Sequence, residues 1–401
     1  MCGVAKRAAG GGDVLSGPDA TLQAIVKRAS IDRTKWPRVV ARAVRAIATC
    51  RTAVLGGHVG QCTHCGHVHY AYHSCRNRHC PQCQRRAADA WVQAREATVL
   101  PVPYFHSVFT LPHALNPLIA ANRRRFLALF FAQVWQALEY FGRKHLGGRM
   151  GVTMVLHTWG QTLIPHVHLH CLVTAGALSD GGQWKAASGK YLFPGAAIRR
   201  WFRRRMLDAI KAEHRHWHFP GDLAPWADYR AFNRALSPLY DKEWTVYFKE
   251  PFDGPAHLLR YLARYTHRTA ISNERIERVD AQQVTFRWRD YADDNRIKRM
   301  SLSIKEFTRR FVWHVLPRGF VRIRHYGLHA NNAREQRARA RQALDAPREA
   351  VPALETLCAF FERIFRRSLY CCPRCHRMTM VFARLPERRS RDPPLQDLRS
   401  V

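Results

Sequence analysis

Residues 165–171 read Pro-His-Val-His-Leu-His-Cys, so His166, His168 and His170 alternate with Val167 and Leu169. On a β-strand this period of two sends the three imidazoles to one face and the aliphatic side chains to the other. Any one histidine would more often be a core or surface residue; three in alternation argue for metal, because neutral imidazole ligates divalent first-row ions. His157 and Gln161 lie just upstream, where a paired strand would bring a third ligand near. Such a set leaves coordination positions open for water and phosphate oxygens. It suits Mg²⁺ or Mn²⁺ acting as a Lewis acid on a scissile phosphate.

Tyr261 and Tyr265 are four apart, which puts both on one face of a helix expected over residues 255–267. Aromatics at that spacing usually belong to a core. Here Arg260, Arg264 and Arg268 form an i, i+4, i+8 row beside them, suited to a DNA backbone, although a merely solvated face has the same pattern. An unperturbed tyrosine, with a pKa of about 10, is a poor nucleophile near neutrality. A metal and arginines that neutralise phosphate would favour the phenolate. Metal-binding histidines and paired tyrosines together point to an enzyme that cuts a DNA strand and keeps it as a phosphotyrosine.

Cys62-x2-Cys65 and Cys80-x2-Cys83, separated by fourteen residues, have the spacing of one four-thiolate zinc site. Cys75 or Cys50 would serve in place of a knuckle cysteine, and His67, His69, His73 and His79 are further alternatives. A full thiolate set is structural, since catalytic zinc keeps a position open. Arg76, Arg78, Arg85 and Arg86 flank the knuckles, which suggests a zinc-stabilised DNA-binding module. Cys372 and Cys375 make half of another such site, with Cys371, His376 and Cys358 nearby; one pair does not close a tetrahedron.

The elements that must carry these groups alternate in type. Residues 21–50 read as helical with an interruption at Pro37, and a helix is expected over 85–99. Residues 101–103, Pro-Val-Pro, mark a domain boundary before a strand at 104–111 and a long helix over 117–145. Strands at 152–159 and 166–173 are close enough to pair antiparallel. Further strands are expected at 244–248, 284–291 and 320–324, with helices at 196–213 and 305–315. Strands interrupted by long helices, with at least one hairpin, predict an α+β fold around an antiparallel sheet.

Composition agrees. Lysine and arginine total 65 against 30 acidic residues, a formal charge of +35 that attracts polyanions such as DNA. With 47% hydrophobic residues the chain buries a sizeable core, which excludes a basic disordered protein. No signal peptide or transmembrane span is expected, so a cytoplasmic location without a membrane partner follows. Twelve cysteines in that compartment argue for thiolates on metal.

At these residues the chain resembles a known family. Residues 72–83, Tyr-His-Ser-Cys-Arg-Asn-Arg-His-Cys-Pro-Gln-Cys, then 109–113, 157–161, the histidine strand, 261–273 and 320–327 are similar, in order, to the rolling-circle insertion-sequence transposases with two catalytic tyrosines. The chain departs from them in Ala175-Gly176-Ala177, where a glycine-rich turn is common, and in Ala263, where glycine is common. The resemblance implies an N-terminal zinc domain, over 1–100, and a catalytic domain of the histidine-hydrophobic-histidine endonuclease type, over 101–330; composition makes 331–401 a basic C-terminal region with the Cys372–Cys375 knuckle and a flexible tail. It puts the motif histidines on His168 and His170, with His166 upstream, and the nucleophiles on Tyr261 and Tyr265.

The activity so implied is nicking and strand transfer through 5′-phosphotyrosines, on single-stranded DNA at element ends and target, in a bacterial, nucleoid-associated setting. No Gly-x4-Gly-Lys-Ser/Thr phosphate loop is present, so a host helicase or the replication machinery would unwind the DNA. A plasmid relaxase or replication initiator would use the same chemistry. A zinc-dependent DNA-binding regulator without catalysis would explain the charge and cysteines, though not the histidine strand and tyrosine helix. Oligomeric state has no signature in the sequence.

Overall fold

The computed structural model describes residues 14–29, 36–96, 98–189, 192–252, 266–349 and 355–387. Arg260, Tyr261, Arg264 and Tyr265, and most of the helix expected over 255–267, lie outside the described residues. Among the described residues no helix is long and apolar enough to cross a membrane.

Five strands form the central sheet: β1 (Tyr104–Thr110), β2 (Gly151–Trp159), β3 (Pro165–Thr174), β4 (Val246–Phe252) and β5 (Ile323–Gly327). Their order is β5-β2-β3-β1-β4, and every neighbouring pair is antiparallel. The fold is α+β, as the sequence predicts, and the histidine strand lies at the centre of its main sheet. Alternation sorts that strand: Val167, Leu169, Cys171 and Val173 enter the main core, and the histidines take the other face. A slip of one residue would drive the imidazoles into that core, so burial itself specifies the register.

The core face is covered by two helices. In Arg123–Leu146 the buried residues Phe126, Phe130, Val134, Ala137 and Phe141 recur three and four apart. In Gly195–Ala212, Ile198, Phe202, Met206 and Ile210 do the same while the arginines face outward. Each buried phenylalanine stabilises the fold by roughly 1.5–3 kcal/mol relative to exposure. The single helix expected over 117–145 is broken in two, Asn116–Ala121 and Arg123–Leu146. At the break, the Asn122 amide donates to the Leu118 and His218 carbonyls and accepts from the His218 N–H. Such side-chain bonds compete with the helical ladder.

A second core joins distant parts of the chain. Leu22–Arg28 and Arg38–Thr49, parted near Pro37 as expected, pack with Ile304–Trp313 against a four-stranded sheet. That sheet runs Leu15–Ser16, Ile276–Val279, Gln283–Asp290, Arg296–Ser303. Contacts therefore run between the N-terminal helices and residues beyond 270. The strand Arg296–Ser303 is not expected from the sequence: it is an edge strand that is mostly exposed and charged over Arg296–Arg299, and its apolar alternation is confined to Met300 and Leu302.

One residue ties the two cores together. Leu163, in the turn between β2 and β3, is fully buried in the second core although its φ of 62° is left-handed. That backbone costs about 1–2 kcal/mol for a non-glycine residue. Burial of the side chain, and the 3.0 Å bond from its carbonyl to the His314 ring, offset it.

Candidate functional site

The register of the β2–β3 hairpin places His157 directly opposite His168, and Val155 opposite His170. Directly opposed residues of an antiparallel pair share a face. His157, His168 and His170 therefore meet, each offering a ring nitrogen within 4.8 Å of the others. His166 stays outside this triad: its Nδ1 lies 3.1 Å from His113 Nε2. The sequence reading weighed His166, His157 and Gln161 as companions of His168 and His170; the geometry brings His157 to them.

The neighbouring groups fix the rings. His168 Nδ1 donates to the His166 carbonyl at 2.8 Å, which leaves Nε2 as the lone-pair nitrogen. His170 Nδ1 lies 3.0 Å from His106 Nε2 on β1, so a ligating Nε2 on His170 goes with an Nδ1–H donated to His106. Burial holds the imidazoles neutral: His168 is lowered to about 3 and His106 to about 4, and His170 is also well below the ordinary value. Neutral rings are what a metal needs.

The triad lines a cleft of about 230 Å³ together with Trp159, Gln161, Arg268, Arg275 and Tyr291. Among the described residues no carboxylate lines it, and Arg268 and Arg275 give it positive charge. Arg275 bonds the carbonyls of Gln161 and Arg287. Gln161 donates from its amide to the Tyr291 hydroxyl at 2.9 Å. Arg268, assigned to DNA from the sequence, is exposed at this cleft. A group with its phosphate seated there would meet cations on one side and three imidazoles on the other.

The cysteines are sorted otherwise than their spacing suggests. Cys62-x2-Cys65 and Cys80-x2-Cys83 do not close one site. Cys80 and Cys83 meet Cys50 and Cys75, while Cys62 and Cys65 meet Cys372 and Cys375. Spacing counts only residues close in sequence, and the partners of Cys62 and Cys65 arrive from the far end of the chain. In the first set Cys83 Sγ lies 3.5 Å from Cys50 Sγ and 3.6 Å from Cys75 Sγ. A tetrahedral zinc with Zn–S near 2.3 Å spaces its sulfurs roughly 3.8 Å apart, so the set fits that ion. Hydrogen bonds, from Cys50 first, push Cys83 far down and Cys80 far up. Four thiols this close cannot all ionise without a cation between them.

The knuckle arginines differ from one another. Arg76 is exposed. Arg78 turns inward and donates to the Phe320 carbonyl, tying the first thiolate set to the central sheet's flank. His106, Arg275 and Tyr291 were not singled out from the sequence. His106 stood in a segment read as a strand, and the pairing with β3 that gives it meaning is not a local signal.

The family described as Putative transposase matches residues 151–337, and that described as Transposase zinc-binding domain matches residues 22–111. The chain is 43% identical over 350 residues to the putative transposase y4qJ of Sinorhizobium fredii, covering 85% of this chain and 88% of that protein. It is 29% identical over 292 residues to the transposase for insertion sequence element IS801 of Pseudomonas savastanoi pv. phaseolicola, covering 72% of this chain and 70% of that protein. No solved structure matches the chain.

Proposed function

The chain belongs to the rolling-circle insertion-sequence transposases, and from that membership we propose that it nicks single-stranded DNA at the ends of its element and carries the cut strand as a 5′-phosphotyrosine. The observation that carries this reading is the set of three imidazoles in a cleft that Arg268 and Arg275 also line. Arg268 of that cleft stands three residues after Tyr265 in the chain.

His157, His168 and His170 would hold a divalent ion, and of the two expected ions a nitrogen set without carboxylate favours Mn²⁺ over Mg²⁺, which prefers oxygen ligands. Such an ion supplies Lewis-acid polarisation of the scissile phosphate. Arg268 and Arg275 neutralise the phosphate and orient it. The phenolate oxygen of Tyr265 or Tyr261 attacks phosphorus, the bond from phosphorus to the 3′ oxygen breaks, and that oxygen leaves as a hydroxyl after taking up a proton. One phosphodiester replaces another, so no nucleotide cofactor is consumed. The second tyrosine opens the target or the far end, and host helicase or replication supplies the single strand. A DNA-binding regulator without catalysis gives no account of the imidazole triad.

The test incubates the purified protein with labelled single-stranded DNA from the element's ends, with Mn²⁺ or EDTA, and resolves the products on a denaturing gel. The expected result is a metal-dependent, protease-sensitive adduct, lost in Tyr261→Phe/Tyr265→Phe and kept in Tyr291→Phe. Cleavage that survives the double substitution removes the nucleophile assignment. Tight binding of a true end with no adduct returns the protein to the regulators.

A further inference from the structure

The second thiolate set has features that go beyond four cysteines lying near one another. Cys62 Sγ lies 3.7 Å from Cys375 Sγ, and Cys65 Sγ 3.7 Å from Cys372 Sγ, across sequence separations of 313 and 307 residues. A disulfide needs about 2.05 Å between sulfurs. The observed separation is the roughly 3.8 Å edge of a tetrathiolate zinc tetrahedron.

The backbones on either side are built alike. In the first knuckle the Cys62 N–H donates to the His67 carbonyl and the Gly66 N–H to the Cys62 carbonyl; in the second the Cys372 N–H donates to the Arg377 carbonyl and the His376 N–H to the Cys372 carbonyl. Both turns close on a left-handed residue, Gly66 with φ of 68° and His376 with φ of 58°. Histidine is among the non-glycine residues that adopt this conformation most readily, so the two turns share one backbone shape. In each, the sulfur of the leading cysteine receives a backbone N–H at 3.4 Å, from Cys65 in one and Arg374 in the other. The Thr379 hydroxyl lies a further 3.1 Å from Cys62 Sγ. Donors aimed at sulfur are what thiolates on a metal require. Cys62 and Cys372 are buried, and the strand Met380–Leu385 pairs with Gly57–Cys62, setting Met380 opposite Cys62.

We propose that Cys62, Cys65, Cys372 and Cys375 bind a second structural Zn²⁺, separate from that of Cys50, Cys75, Cys80 and Cys83, and that this ion fastens the C-terminal strand to the zinc-binding domain. The domain matched at residues 22–111 contains only half of the ligands. The N-terminal domain is thus completed by the last strand of the described chain.

Metal content of the full-length protein, measured by mass spectrometry after exhaustive dialysis, tests this apart from any DNA cleavage. Two zinc ions per chain are expected in the native protein and one in Cys372→Ser/Cys375→Ser. One in the native protein, or two in that variant, overturns the proposal. Should the double variant fail to fold, Cys375→His replaces one sulfur by a ring nitrogen that still ligates. Loaded with Co²⁺, it is expected to keep two ions and to lose one ligand's share of the thiolate-to-cobalt absorption. A cobalt spectrum identical to that of the native protein takes Cys375 off the metal and overturns the proposal equally.

Discussion

The two kinds of metal-ready cluster in this molecule differ in donor, number and access. The thiolate sets bring four sulfurs together, so a tetrahedral ion between them has no position left over. The imidazole set brings three nitrogens to the wall of a cleft, so an ion there keeps positions for water or phosphate. The set of Cys62, Cys65, Cys372 and Cys375 joins short strands that share little other core. The imidazoles sit on two adjacent, largely buried strands of the central sheet, where packing on the opposite face already fixes them. The lesson is that scaffold and chemistry are exchanged between the two: where metal builds the structure the site is closed, and where structure builds the site it stays open.

The largest effect expected from this contrast follows loss of one imidazole. His168→Ala should lower adduct formation by about 10³-fold, the equivalent of several kcal/mol of Lewis-acid assistance, while leaving zinc content and thermal unfolding nearly unchanged. A variant that loses zinc as well would show that the open site also builds the fold, and the contrast would break. A smaller effect is expected one contact out. His106→Ala removes the ring 3.0 Å from His170 Nδ1 and should weaken Mn²⁺ binding by about 10–100-fold, read by titrating adduct formation with Mn²⁺. Restoration of the rate at saturating Mn²⁺ would mark His106 as a positioning residue.

The smallest expected effect is with pH. Protons compete with metal for a histidine only near and below its own pKa, and burial lowers His168 from 6.5 to about 3. Lowering pH therefore does not protonate this ring until well below the ordinary histidine range, and apparent Mn²⁺ affinity should stay flat from about pH 7.5 to about 5.5. A tenfold fall per unit beginning near 6.5 would mean rings open to solvent, contrary to the closed floor of the cleft.

The open site was largely legible in the sequence because its signal is local. Alternation of His166, His168 and His170 with aliphatic residues marks a strand, and the face its imidazoles share, within seven residues. The third member, His157, could be named beside Gln161 but not chosen, since only the pairing of His157 with His168 selects it. The closed sites were legible as zinc-binding and illegible in their pairing. Cys62 and Cys65 find partners 307 and 313 residues away, a distance over which spacing carries no information. Arg78 shows the same limit in charge: a basic residue beside a knuckle suggested DNA, and the fold spends it on the Phe320 carbonyl.

Leu163 has a consequence in time. Its socket in the second core is made in part by Ile276, Phe286, Phe307 and Phe311, which leave the ribosome long after the histidine strand does. Until those residues emerge, the core that receives the left-handed turn of the hairpin carrying His157, His168 and His170 is incomplete. The three-imidazole cluster is thereby fully backed by this core only when nearly four-fifths of the sequence exists.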